Sequence, residues 1–287
     1  MRFSIIIPNL NSPIIHLTIE ALLQQCQSEA DEILVIGLDE LGLVKPSALV
    51  QFIDTGAPAS PAVARNIGIR RARGEVVCFL DADCIPCADW LQRIEQQFQE
   101  PTLAVLGGGV DTSQTGFWTI CDHVSTFHDY LATASPGTRA QLPSLNLMIR
   151  KTVLDQVGGF DERYPRPAGE DADLTTRLRL DGYALRFDPQ IAVNHVPNRP
   201  TLAAALKHAR QLGRYSIKVD PRWRATLRPP LPLRHWSLVL LTAPLLALAV
   251  TLGIYQADRT MQRWWYMAPA IFGLKLAWCW GAAEGMQ

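Results

Sequence analysis

The first hundred residues repeat one pattern, a short apolar run followed by a segment with apolar positions at helical spacing. Residues 3–7 are almost wholly apolar and close at Pro8, which reads as a buried strand. Over residues 13–26, Ile14, Leu17, Ala21 and Leu22 share one helical face. Residues 33–36 and 50–53 are further strands, the first ended by Gly37. "SPAVARNIGIRRARG" opens a helix with Ser60 as cap and Pro61 in the first turn, and it stops at Gly74. Residues 76–80 form the next buried strand, 88–99 an amphipathic helix, and 103–106 a strand ended by three glycines. Strands alternating with helices predict an α/β domain whose mixed, mostly parallel sheet is covered on both faces.

After residue 112 the pattern loosens, and residues 112–143 show no clean period. Residues 144–149 read as a strand, and 151–157 as a short helix ended by Gly158-Gly159. Residues 170–180 have helical spacing, 183–187 and 191–194 read as two short strands, and 201–217 as a helix. Two apolar stretches close the chain, residues 236–255 with no charge and residues 264–283 with one, Lys275. Each is about long enough to cross a bilayer core, and Trp and Tyr cluster at their ends. The pattern predicts a two-helix transmembrane hairpin in which Lys275 snorkels to an interface. A pair of buried core helices is the competing reading.

Charge sharpens this picture. The 287 residues carry no net charge, but residues 1–198 hold 15 Lys/Arg against 24 Asp/Glu, and residues 199–234 hold 9 against Asp220 alone. An acidic body therefore meets a basic collar next to the first apolar stretch, as expected of a cytoplasmic body at the inner membrane. No secretory leader is legible before the strand at residue 3. The expected organisation is a catalytic domain over 1–215, a basic linker over 216–235 and two spans over 236–283. Nucleic acid is not an expected partner. Cys84 and Cys87 form a C-x-x-C without the second pair a zinc ribbon needs, so the six cysteines read as small apolar residues.

The candidate chemistry lies at the end of the strand in "EVVCFLDADC". Asp81 and Asp83 follow its carboxyl end, the edge where open α/β sheets bind ligands. Two carboxylates there make an oxygen site suited to Mg²⁺ or Mn²⁺, with positions left for a diphosphate.

"SIIIPNLN", "ARNIGIRRARGEVVCFLDADCIP", "NLMIRKTVLDQVGGFDE" and "GEDADLTTRLRLDGY" occur in this order. Over roughly residues 3–215 the chain thereby resembles the family 2 glycosyltransferases of GT-A fold, specifically for the family though not for a substrate. The resemblance implies inverting transfer of a sugar from a nucleotide-diphosphate donor, a UDP-sugar being expected, to a lipid or lipid-linked acceptor. It makes Asp81 and Asp83 the D-x-D, with Asp83 the more direct metal ligand. It places Pro8 in a loop at the nucleobase pocket and Arg65 at the donor or in a structural ion pair. Asp171, beside Glu170, becomes the base that takes the acceptor's proton, although acids at a helix N-terminus also answer the macrodipole. His195 is a candidate third metal ligand or a satisfied core histidine. "QLGRY" resembles the Q-x-x-R-W motif of membrane synthases, so Gln211 and Arg214 would hold a diphosphate or anionic acceptor. One departure stands out. Where the family has two acids and a glycine-serine turn, this chain reads "VIGLDE", leaving Asp39 as the replacement donor contact. A non-catalytic membrane scaffold that binds nucleotide or glycan is the alternative to an enzyme. A nucleotidyltransferase would need a Gly-rich triphosphate loop that the N-terminal region lacks.

Overall fold

The computed structural model describes residues 1–26, 31–111, 116–257 and 259–287. The chain divides into two compact units, one of residues Met1–Asp111 and Ser135–Val196, the other of Thr112–Ala134 and Pro197–Gln287.

The first unit is built on one sheet. Its strands are β1 (Phe3–Leu10), β2 (Glu32–Leu38), β3 (Val50–Asp54), β4 (Val76–Leu80), β5 (Cys84–Pro86), β6 (Val105–Asp111), β7 (Gly137–Thr138), β8 (Asn146–Arg150) and β9 (Leu185–His195). They lie in the order β3-β2-β1-β4-β8-β6-β9-β5, with β7 on β9. β3, β2, β1 and β4 pair in parallel, β8 runs against both β4 and β6, and β6 and β9 are again parallel. The sheet is therefore mixed with most strands codirectional. The helices of this unit are α1 (Ile15–Leu23), α2 (Pro61–Arg71), α3 (Trp90–Phe98), α5 (Lys151–Val157) and α6 (Glu170–Leu180), while α4 (Phe117–Phe127) belongs to the second unit.

The course of the chain fixes where a ligand can sit. From β1 the chain steps outward to β2 and β3, and then α2 carries it back to β4 on the other side of β1. Right-handed crossovers in opposite directions put α1 and α2 on opposite faces. The carboxyl ends of β1 and β4 therefore flank a topological switch point. α2 starts as its sequence dictates: the Ser60 hydroxyl accepts the Val63 N–H, and Pro61 occupies the first turn.

Three elements differ from the sequence pattern for local reasons. Pro8 does not end β1, which runs on to Leu10 beside β2. The Asn11 N–H reaches the Leu38 carbonyl of β2, so alternation turns the Pro8 nitrogen toward β4, whose pairing has already stopped at Ile6. A proline costs no ladder bond there. The two short strands near residues 183–194 are one strand, β9, whose register with β6 slips between Gly108 and Gly109. The extra residues of β9 include Pro189, which such a bulge accommodates. Within the patternless region, residues 112–115 lie outside the description and residues 117–127 are α4.

The second unit is helical. With α4 it contains α7 (Leu202–Arg214), α8 (Pro221–Leu227), α9 (Trp236–Ala257) and α10 (Ala268–Gly285). In this division α7 groups with the helices that follow rather than with the sheet. The stretch expected as a linker holds α8, and it buries Val219 and Leu233 with Val239, Ala243 and Cys279. Among the described residues, Trp236–Gln256 is the one helix long and apolar enough to cross a membrane. The second apolar stretch does not meet that measure, which leaves the expected hairpin with one candidate span among the described residues. Its first part is a 3-10 segment, and α10 is packed along its length within the unit. A Cβ on Gly281 would fall 1.9 Å from the Arg210 carbonyl oxygen, so α10 and α7 cross backbone to backbone. Lys275 does not reach outward either, since its Nζ donates to the Ser125 carbonyl of α4.

Candidate active site

A buried arginine organises the carboxyl edge of the sheet. Arg65, on α2, donates from Nη2 to Asp81 Oδ1 at 2.7 Å and from Nη1 to Glu170 Oε1 at 3.0 Å. Its guanidinium also lies 5.3 Å from the Phe160 ring centroid, and Phe160 meets Phe79 edge to face. One side chain thus joins the end of β4 to the start of α6. Burial alone would lower the Arg65 pKa, but the charges of Asp81, Glu170 and Asp171 outweigh it and hold the cation firmly.

The neighbouring asparagine places the loop that carries Phe160. Asn66 exchanges hydrogen bonds with the Phe160 backbone, its Nδ2 donating to the carbonyl at 2.8 Å and its Oδ1 accepting the N–H at 2.9 Å. Gly159 has φ +71°, and a Cβ there would lie 2.7 Å from Asn66 Oδ1. This is why "ARN" and "GGFDE" belong together: each is the other's wall.

Glu170 and Asp171 sit in the first turn of α6, after Gly169 in the left-handed region. Glu170 is 3% exposed, and its Oε2 has no hydrogen-bond partner among the described residues. Burial first and the charge of Asp171 second push its carboxyl up to about 7, against the pull of Arg65. Asp171 accepts the Ser144 N–H on Oδ2 at 3.2 Å and the Ala172 N–H on Oδ1 at 2.7 Å. Its carboxyl is also pushed up, chiefly by burial, while Arg65 and the two N–H groups pull the other way. The pair is differentiated by contact: Glu170 is tied to Arg65, and Asp171 is oriented by backbone.

Asp81 and Asp83 have side chains 32% and 33% exposed, one residue apart at the end of β4. They are not equivalent. Asp81 faces Arg65, whereas Asp83 Oδ2 lies 3.5 Å from Nε2 of His195, the last residue of β9. β5 pairs with β9 so that Cys84 stands opposite His195, and the Val196 N–H donates to the Asp83 carbonyl at 2.8 Å. Asp83, Cys84 and His195 each bring a ligand atom within 4.8 Å of the others. Carboxylate oxygen and imidazole suit Mn²⁺, and Mg²⁺ would lean on the oxygens, whereas a thiol is a soft donor that neither seeks. The arrangement fits a divalent cation on Asp83 and His195 at a half-exposed rim, with Cys84 as wall.

The departure at residues 35–40 has a steric basis. Gly37 has φ +138°, and a Cβ there would lie 1.8 Å from the Asn9 carbonyl oxygen. No aspartate fits that backbone. The ends of β1 and β2 are joined instead by Asn9 Nδ2 donating to the Leu38 carbonyl and by Asn11 Oδ1 accepting the Glu40 N–H. Both Asp39 oxygens are occupied within its own loop, accepting the Leu43 and Val44 N–H groups at 3.1 and 2.7 Å. Asp39 therefore organises the loop. Pro8, expected in a loop, lies within β1, as described above.

Gln211 and Arg214 lie on α7 in the second unit, Arg214 exposed with its guanidinium 5.9 Å from the Tyr215 ring. Sequence reasoning missed Phe160, Ser144 and Cys84. The first was available as the aromatic in "GGF"; a backbone N–H donor such as that of Ser144 leaves no sequence signal.

Residues 43–157 match the glycosyl transferase family 2 model. Glycosyltransferase AglE of Haloferax volcanii is 30% identical over 176 residues, which are 61% of this chain and 57% of that protein. The pre-mycofactocin glycosyltransferase of Mycobacterium tuberculosis is 32% identical over 142 residues, 47% of this chain and 30% of that one. The chain thus spans about half or less of the curated relatives' length. Among solved structures, mannosyltransferase PcManGT of Pyrobaculum calidifontis, in complex with GDP-Man and Mn²⁺, superimposes with a TM-score of 0.58 at 19% identity, over 95% of this chain and 85% of that one. This likeness extends to the fold, which is GT-A-like. The matched segment contains Arg65, Asn66, Asp81 and Asp83, so the chain carries a segment that matches the glycosyl transferase family 2 model and includes the D-x-D.

Proposed function

We propose that this chain transfers a sugar from a nucleotide-diphosphate donor to a hydroxyl of a lipid or lipid-linked acceptor, with inversion at the anomeric carbon. The observation that supports this most directly is the bridge made by Arg65. It joins a D-x-D carboxylate to the Glu170-Asp171 pair, so donor-side and acceptor-side acids belong to one site.

Asp83, His195 and the second oxygen of Asp81 would hold Mn²⁺ or Mg²⁺. A cation bound there supplies charge to offset that developing on the departing diphosphate. Asp171 takes the proton of the acceptor hydroxyl as that oxygen attacks the anomeric carbon opposite the leaving group. The Ser144 and Ala172 N–H groups fix the carboxylate for this task. Its raised pKa makes it a better proton acceptor than a solvated aspartate. Glu170 is a positioning group: held by Arg65, it fixes the start of α6 and hence Asp171. Asp39 shapes the donor-side loop through its backbone bonds. Gln211 and Arg214 are assigned to a diphosphate or anionic acceptor, and the acceptor reaction to the cytoplasmic face of the membrane.

The test is a screen of UDP- and GDP-sugars with purified full chain in detergent, with Mn²⁺ or Mg²⁺, measuring nucleotide diphosphate release. The anomeric configuration of any product is then read by NMR. Metal-dependent release with an inverted product is expected. Nucleotide binding without turnover on any donor would make the chain a binding module.

A further inference from the structure

From Leu240 to Gly253 every exposed residue of α9 is apolar. Leu241 is 78% and Leu245 70% exposed, and Leu240, Leu248, Val250 and Leu252 are exposed with them. The helix buries only a stripe of Val239, Ala243, Ala247, Thr251 and Ile254. Such a face has no use in water.

A bilayer span is the first explanation for a helix of this length, but its packing argues against it. α9 lies against α10, and α10 is flanked along its whole length by helices that carry charge. Toward its N-terminal half it meets α4, where Lys275 donates to the Ser125 carbonyl. α4 also holds buried Asp122, which binds Arg199 at 2.7 Å and His208 at 2.8 Å. Toward its C-terminal half α10 crosses α7 at Gly213, Gly281 and Gly285, beside Arg210 and Arg214. If α9 ran through hydrocarbon, these neighbours would be drawn to bilayer depth. Ionisable side chains there are costly, and the exposed Arg210–Glu284 pair and exposed Arg214 would lose their water.

We infer that α9 attaches the second unit to one leaflet of an anionic membrane, lying in the plane of the bilayer with its leucine face in the acyl boundary and never crossing. The flanks favour lipid over a protein partner. Exposed Trp236 stands at one end of the helix, and exposed Trp265 and Tyr266 follow the other, with Phe117 beside Tyr266. Aromatic rings of this kind settle at the headgroup level. The segment before α9 carries nine Lys/Arg against one acid over residues 199–234, the complement of anionic headgroups. An in-plane helix needs a polar side away from the lipid, and here the rest of the unit supplies it. The inference deepens the membrane part of the proposed function and is independent of the catalytic part.

The experiment is depth-dependent quenching. A bimane label is attached to Leu241→Cys, Leu245→Cys, Leu248→Cys and Leu252→Cys in turn, in full chain carrying Cys26→Ser and Cys87→Ser. The remaining cysteines are buried. Each variant is mixed with vesicles of phosphatidylcholine and phosphatidylglycerol containing lipids spin-labelled at known depth. The inference expects all four labels at one shallow depth, about 5–10 Å below the headgroups. It also expects binding to weaken at least tenfold when phosphatidylglycerol is omitted, and again for Leu241→Glu/Leu245→Glu. Depth changing steadily by about 1.5 Å per residue would establish a span and overturn it. No quenching at any site, with light scattering showing a dimer that Leu241→Glu dissociates, would assign the face to a second copy and overturn it equally. Nucleotide diphosphate release in detergent reports separately on catalysis.

Discussion

Arg65 and Glu170, 105 residues apart in sequence, meet in a buried ion pair of 3.0 Å. The contact makes the helix before the D-x-D strand answerable to the helix that carries Glu170 and Asp171. The pair is incomplete, since Arg65 Nε and Glu170 Oε2 are both buried without a hydrogen-bond partner among the described residues. Its geometry leads to the first two expectations.

Arg65→Met leaves Glu170 buried without its cation and frees Asp81. Breaking one side of a buried pair costs about 3–5 kcal/mol. We expect a lowered thermal midpoint together with loss of nucleotide diphosphate release. Arg65→Lys, which keeps the charge but cannot span both carboxylates, should regain part of the stability and little of the activity. Full activity in Arg65→Met would remove the arginine from the site.

Glu170 also sets a pH dependence. Its folded pKa of about 7 lies above the unfolded value near 4.5, so the folded state holds the proton more tightly. The stabilising contribution is complete below about pH 4.5 and is lost as pH rises through about 7, on the order of 3 kcal/mol in all. Urea denaturation of Glu170→Gln should accordingly be flatter than wild type between pH 5 and 7.5. An identical slope in both proteins would show that Glu170 is not the titrating group.

On the metal side, Asp83→Asn and His195→Ala should weaken Mn²⁺ binding, measured by calorimetry in the presence of nucleotide diphosphate, by tenfold or more. Both should leave the circular dichroism spectrum unchanged. Cys84→Ser should retain Mn²⁺ affinity, because the thiol is a wall and not a ligand. A large loss in Cys84→Ser would put sulfur in the coordination shell.

Asp171→Asn keeps the side chain's shape but removes its basicity. Donor affinity by calorimetry should be unchanged while turnover falls about a hundredfold or more. Lost affinity at retained turnover would assign Asp171 to donor binding.

Restoring the family's acid at the end of β2 should fail. In Gly37→Asp the new Cβ meets the Asn9 carbonyl, and φ of +138° excludes an L side chain. We expect a loss of about 2–4 kcal/mol in urea unfolding. A stable variant with improved donor affinity would show that β1 and β2 can separate there.

The sequence alone determined what depends on local periodicity. Val76–Leu80, Lys151–Val157 and Glu170–Leu180 are legible to the residue because each is bounded by its own signal: Gly74, Gly158-Gly159, and Gly169 before acids. The order of motifs was enough to point to the family whose model residues 43–157 match and to nominate Asp81, Asp83 and Asp171. Contacts between distant segments decided the rest. That Arg65 faces Glu170, that Asp83 rather than Asp81 faces His195, and that Asp39 turns back on its own loop depend on strand order and register, which no local pattern encodes. The two apolar stretches differ for the same reason. By composition both were long enough to span a membrane, but composition counts apolar atoms without saying what covers them. α10 is covered by α4, α7 and α9, while α9 keeps its leucines outside. Hydrophobic burial is proportional to area and indifferent to partner, so only the tertiary packing could assign one helix to the protein interior and leave the other exposed.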